Sequence, residues 1–224
     1  MSYRGKAPLT ILMTLILIGA LPYSASAHGG YPRDWLGSSI NWRFTAGFPS
    51  GSGQRDSVRE GADQWSNTSG AIFDWNETGQ VANWTISFNC GVSWNGGNGN
   101  NTLNWKSIDG GGNNSTLADT LLCPTSGTSS LTKFWIRFDQ ANSADFHWPG
   151  HNPDDPPDNT FDAWAIASHE FGHATGFQGH IGSGSTYCDV GDLDLHTMCS
   201  FTASGLARQR TLEVHDVDTF QATY

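Results

Sequence analysis

The sequence predicts an α+β domain, and three observations carry that expectation. Residues 40–45 (Ile-Asn-Trp-Arg-Phe-Thr) alternate apolar and polar side chains, the period of a half-buried strand. Residues 54–65 place Val58, Ala62 and Trp65 at helical spacing. Residues 161–167 (Phe-Asp-Ala-Trp-Ala-Ile-Ala) open a helix that is apolar on nearly every face and therefore buried. Short β-like runs lie between the two helices. Strand, helix, several strands and a late helix is an α+β order.

Taken from the start, Arg4 and Lys6 precede an apolar run over residues 7–21, and Ala25-Ser26-Ala27 has the small-x-small form of a cleavage site. Residues 1–27 therefore read as a secretory signal peptide, too short for a membrane anchor, and residues 28–224 as one domain. A soluble, extracellular monomer is expected. Removing the signal takes away two of the eleven basic residues and none of the 21 acidic ones, so the formal net charge moves from −10 to −12. Such a charge argues against nucleic acid or an anionic membrane as a partner.

After the strand at 40–45 and the helix at 54–65, β-like runs fall at 72–75, 84–90 and 103–108. Gly- and Asn-rich stretches at 95–101 and 110–114 separate them and read as long surface loops. Residues 117–123 fit a strand or a helix equally. Residues 134–138 read as a strand, and 145–148 as another. Asn159 or Thr160 is expected to cap the helix that follows, with Asp162 at the positive end of its dipole. Four cysteines in an exported chain imply two disulfides, and three connectivities are open. Pairing within each half of the chain gives Cys90–Cys123 and Cys188–Cys199.

The chemistry is concentrated in residues 169–180, His-Glu-Phe-Gly-His-Ala-Thr-Gly-Phe-Gln-Gly-His. On a helix, His169 and His173 lie about 40° apart on one face, one turn apart, so both imidazoles can reach one zinc ion. Glu170 sits about 100° round from the first ligand. It can border the metal and take a proton from a bound water. Gly176 can end the helix in a left-handed bend, which makes His180 available as a third ligand and leaves one position for water.

This segment, with His196-Thr197-Met198-Cys199 downstream, resembles the metzincin zinc endopeptidases, most closely their matrixin branch. Thr-Met-Cys is placed like the family's Met-turn, so the resemblance implies that Met198 lies beneath the metal ligands and that a twisted mixed sheet carries the active-site helix. Residues 212–224, with Val214, Val217, Phe220 and Tyr224 on one helical face, are similar to the closing C-terminal helix, and residues 40–65 loosely resemble the opening strand and helix. The family implies an edge strand that pairs with an extended protein or peptide substrate; residues 134–139 or 145–148 are the candidates. One departure stands out. The family's third ligand falls three residues after the glycine, where this chain has Gly179, and His180 comes one residue late. A one-residue insertion in the bend accounts for it; the rival ligands are Asp189, His196 and Glu213. The short stretch after residue 27 holds no cysteine, so the cysteine-based latency of matrixins is not expected.

The resulting expectation is a secreted metalloendopeptidase that hydrolyses peptide bonds through a zinc-bound water activated by Glu170. The alternative is a carbohydrate- or protein-binding module with a structural zinc, using its ten tryptophans as a surface. Calcium is a second candidate ion, through Asp189, Asp192 and Asp194 or through Asp154, Asp155 and Asp158. Neither cluster matches a twelve-residue calcium loop, and solvated acidic loops are the preferred reading.

Overall fold

The computed structural model describes residues 35, 39–51, 53–67, 74–82, 90, 101–108, 116–124, 130–177, 196–199, 204–205 and 207–223. The expected signal peptide at 1–27, the run at 84–89 and residues His180, Cys188, Asp189, Asp192, Asp194 and Tyr224 lie outside them. Strand β1 (Ser39–Thr45) leads into helix α1 (Gln54–Ser66) and then β2 (Asp74–Val81), β3 (Asn101–Trp105), β4 (Ala118–Pro124) and β5 (Leu131–Phe138). A 3-10 turn (Gln140–Asp145) precedes β6 (Phe146–His147), and β7 (Phe161–Asp162) runs directly into α2 (Ala163–Ala174). A second 3-10 turn (Arg208–Arg210) precedes α3 (Val214–Thr223). The result is a mixed α+β architecture. Among the described residues no helix is long and apolar enough to cross a membrane.

The main sheet has the order β2-β1-β3-β5-β4, with β4 alone antiparallel to its neighbour and β6–β7 forming a separate parallel pair. Register explains where the core lies. Ile40 pairs with Trp75, Phe44 with Leu103, Leu103 with Ile136, and Leu122 with Phe134. Side chains in register share a face, so these residues line one side of the sheet. The helices cover that side. Phe171 of α2 packs edge-on against Trp42 and Trp75, with ring centroids 5.3 and 5.2 Å away. Much of the tryptophan complement is therefore internal: Trp42, Trp65, Trp75 and Trp135 are all buried.

Several elements differ from the sequence-based expectation. Residues 117–123, open between strand and helix, form β4, because antiparallel pairing to β5 supplies the backbone bonds that local propensity left undecided. The strand expected at 72–75 runs over Asp74–Val81, and the one expected at 103–108 ends at Trp105. The strand expected at 145–148 shrinks to two residues, with Asp145 in the preceding turn. Neither Asn159 nor Thr160 caps α2. Phe161 and Asp162 are extended, and the Asp162 carboxylate itself accepts from Ala165 N at 2.9 Å. Among the described side chains of α3, Asp216 and Phe220 are buried, whereas Val214 is 63% exposed. The Cys90–Cys123 disulfide forms as expected, with Cα atoms 5.3 Å apart. Cys199 is also disulfide-bonded.

Two charged clusters fix the approach to α2. Asp162 and Arg210 are both buried and form an ion pair, with Arg210 Nε 2.8 Å from Asp162 Oδ2. Arg210 also donates to the Asp154 carbonyl at 2.7 Å, so one guanidinium ties the helix cap to the loop before it. On the surface, His151 bonds to Glu60 of α1 and lies 3.7 Å from Asp56, while Gly150 N donates to Ser57 Oγ at 2.9 Å. Asp162→Ala removes the cap and strands a buried guanidinium. It should destabilise the protein by about 3–5 kcal/mol in urea unfolding, far beyond the roughly 1 kcal/mol of a cap alone.

The Glu60 hydrogen bond holds the His151 pKa above its ordinary value, and the Asp56 and Glu60 charges reinforce it against desolvation and Arg59. A raised histidine pKa stabilises the fold fully below about pH 6.5 and loses that contribution as pH rises through the folded value. Melting temperature measured from pH 5 to 9 should therefore fall more steeply above pH 6.5 in wild type than in His151→Gln. Parallel profiles would remove His151 as the titrating group.

Candidate functional site

The buried character of α2 follows from its sequence, and so does the problem it creates. Its C-terminal half carries a buried Glu170 and the half-buried His169 and His173. Each polar group there needs a partner. His169 Nδ1 faces the Thr197 carbonyl at 2.7 Å, and His173 Nδ1 faces the Phe177 carbonyl at 2.8 Å. A carbonyl oxygen only accepts, so both Nδ1 atoms carry hydrogen and each neutral ring presents a lone pair at Nε2. The two Nε2 atoms converge to 3.1 Å. Two lone pairs at that separation repel, and a proton or a cation between them relieves the repulsion.

Both carbonyl partners are products of chain turns. Gly176 has φ 115°, the left-handed bend expected at the helix end, and it returns the chain so that the Phe177 carbonyl meets His173. Residues 196–199 form a second tight turn, closed by Cys199 N donating to the His196 carbonyl at 3.2 Å. Thr197 N donates to Asp216 Oδ2 of α3 at 3.0 Å, and the Thr197 hydroxyl donates to the Thr211 carbonyl at 2.9 Å. The turn that orients His169 is thus anchored to the C-terminal helix.

Met198 lies directly against α2. A Cβ added at Gly172 would come within 2.6 Å of Trp65 Cζ2 and closer still to Met198 Sδ. The small residue between the two histidines lets the methionine turn close up beneath them. Trp65 is held in place by its own Nε1–H, which donates to the Ser168 carbonyl at 2.7 Å.

Glu170 is buried, and its Oε2 accepts a 2.5 Å hydrogen bond from Thr120 Oγ1 of β4. Burial pushes its carboxyl up to about 8; the Thr120 hydrogen bond opposes that shift and the Asp119 charge adds to it. Asp119 itself pairs with Arg137 of β5, Nε to Oδ1 being 2.8 Å.

Among the described strands β4 lies at the end of the sheet, and its Thr120 reaches α2. Neither expected candidate for the edge strand occupies that position. Residues 134–138 belong to β5, between β3 and β4, and residues 146–147 belong to the small sheet. Among the described residues no three His, Cys, Asp or Glu side chains converge as a metal-ligand set. His196 and Glu213 therefore do not complete the pair made by His169 and His173. Asp154, Asp155 and Asp158 are solvent-exposed and do not converge on a calcium site either. His180 and Asp189, the remaining candidates for a third ligand, lie outside the described residues. Sequence reading missed Thr120, because a hydroxyl on an ambiguous segment gives no signal until β4 is placed against α2. Thr197 was read as part of a motif, yet its contribution is a main-chain carbonyl that no residue type reveals.

Substitution at Gly172 tests the close approach. Alanine gains about 1 kcal/mol of helix propensity but must displace Met198 and the immobile Trp65 ring, a cost of about 1–3 kcal/mol. Gly172→Ala should therefore lower the urea midpoint of the metal-free protein; an unchanged or raised midpoint would show that the methionine turn gives way freely.

Compared with known proteins, the chain matches no family model. No curated protein is similar to it at a significant level.

Proposed function

We propose that this chain is a secreted zinc-dependent endopeptidase of the metzincin type, most like the matrixins. One observation carries the reading. Two imidazoles, each with its Nδ1 against a main-chain carbonyl, bring their Nε2 atoms to within 3.1 Å of one another, and the residue that follows the first of them, Glu170, is a buried acid. In a tetrahedral site with metal–nitrogen bonds of about 2.0–2.1 Å, two ligand nitrogens lie about 3.3 Å apart. The observed 3.1 Å is close to that spacing. Carbonyl acceptors behind ligating histidines are the usual means of fixing their tautomer and raising their basicity.

His169 and His173 would hold the ion, with His180 as the expected third ligand and Met198 supporting the pair from below. Zinc, when bound, lowers the pKa of a water toward about 7 and polarises a peptide carbonyl. Glu170 is the general base: it takes the proton of the attacking water and passes it to the leaving amine. Strand β4, antiparallel and at the sheet edge, is suited to receive an extended peptide by main-chain pairing. The leading segment 1–27 supports export.

Casein or gelatin cleavage tests the assignment. Zinc-loaded protein should cleave, a chelator should stop it, and Glu170→Ala should lose about 10²–10⁴-fold in rate with zinc still bound. Zinc should also raise the melting temperature of the metal-free protein, and His173→Ala should abolish that rise. Cleavage that survives either the chelator or Glu170→Ala would overturn the mechanism. Zinc binding with no cleavage of any protein would favour the structural-zinc module instead.

A further inference from the structure

Glu170 is buried, and a glutamate carboxylate in such a position needs something to fix its rotation, because the terminal torsion of a glutamate is broad and weakly two-fold. The restraint comes from another element. Thr120 pairs with Ile136 in the β4–β5 register, and this sets its side chain on the sheet face that packs against α2. Its Oγ1 lies 2.5 Å from Glu170 Oε2 and 3.2 Å from the Glu170 main-chain oxygen. A hydroxyl has one proton to donate, and the shorter contact, to the carboxyl oxygen, is the stronger claimant. Threonine is β-branched, so its χ1 has few alternatives and its hydroxyl direction is set by the strand backbone.

We infer that Thr120 is a positioning residue for Glu170, and that through it the edge strand β4 holds the general base in register with a peptide laid along that same strand. The inference rests on the proteolytic reading above. With Oε2 occupied by the strand, exchange of the proton with water and leaving amine falls to Oε1. Substrate and base would then share one support: any shift of β4 carries both together, which preserves the short distances that proton transfer requires. A serine could make the same hydrogen bond with less rotational restraint. A valine would fill the same volume without making it.

The test compares Thr120→Val, Thr120→Ser and Glu170→Gln. Thr120→Val is expected to lower kcat about 10- to 100-fold while KM stays within about twofold and zinc content is unchanged; Thr120→Ser should recover most of the rate. A second readout needs neither zinc nor substrate. The Glu170 carboxyl band, isolated by infrared difference against Glu170→Gln in metal-free protein at one fixed pH, should shift in Thr120→Val and stay near wild type in Thr120→Ser. A threonine that merely seals the contact between β4 and α2 would change the melting temperature but would produce neither the kcat loss at constant KM nor the band shift.

An unshifted band, or wild-type kcat in Thr120→Val, overturns the inference. If Glu170→Gln is inactive at the same time, the proteolytic reading stands and only the role of Thr120 falls. Full activity in Glu170→Gln, or no cleavage by wild type, overturns the reading and the inference with it. Should Thr120→Val fail to fold, Thr120→Ala is read by the same two measurements.

Discussion

Partnering the buried and half-buried polar groups along α2 and at its N-cap is the constraint that organises the rest of the molecule. An unpartnered buried polar group costs several kcal/mol, comparable with a large fraction of a domain's net stability. The helix meets that demand by drawing a different part of the chain to each group. Asp162 takes Arg210, the Ser168 hydroxyl donates to the Arg210 carbonyl, and its own carbonyl accepts from Trp65. His169 takes the carbonyl of Thr197, Glu170 the hydroxyl of Thr120, and His173 the carbonyl of Phe177. The Ala174 carbonyl accepts from Trp35 Nε1 at 2.7 Å. Partners thus come from Trp35 ahead of β1, from α1, from β4, from the chain just after α2, from the 196–199 turn and from the last 3-10 turn.

The same network accounts for the precision of the histidine pair. Dispersion contacts are non-directional and by themselves leave a half-buried ring some rotational freedom. Directional hydrogen bonds remove it. Aromatic rings from β1, β2 and β5 hold Phe171 from the sheet side, and Met198 and Trp65 close on Gly172 from another direction. With the helix so held, the Nδ1 hydrogen bonds of the two half-buried imidazoles select one orientation each. Thr197 lies 28 residues from His169, so that half of the geometry arises only when the fold is assembled, whereas Phe177, four residues from His173, is placed by the local bend.

How much of this was legible in the sequence depended on whether the cause was local. β1, α1 and α2 were readable because alternation and helical spacing are properties of consecutive residues, and Gly176 was readable because a left-handed bend favours glycine. The histidine pair was visible as spacing on a helix. β4 was not decidable, since Ala-Asp-Thr-Leu-Leu-Cys has no single period and its strand state is imposed by pairing with β5. The cap of α2 was placed too early for a related reason. Asn159 and Thr160 have good capping side chains, but β6 pairs with residues 161–162 and keeps them extended, which moves the helix start to Ala163 and the capping role to Asp162. Val214 was grouped with Phe220 by helical spacing, yet it lies at the first residue of α3, where the helix has not reached the core.

The burial of Glu170 bears on the choice between the two zinc chemistries considered for this chain. A structural site is closed by its protein ligands and gains nothing from an extra carboxylate on the next helical position; placing one there in a buried setting only adds desolvation cost. In this fold the carboxylate is nevertheless buried, and a hydroxyl from a separate strand is directed at it. Leucine or alanine at position 170 would pack against β4 without any such requirement. A buried acid held by a dedicated partner, on a helix that also brings two imidazoles together, is a costly arrangement that suits proton transfer better than scaffold bracing. The physical cost of Glu170 is therefore the strongest reason to prefer an endopeptidase over a binding module.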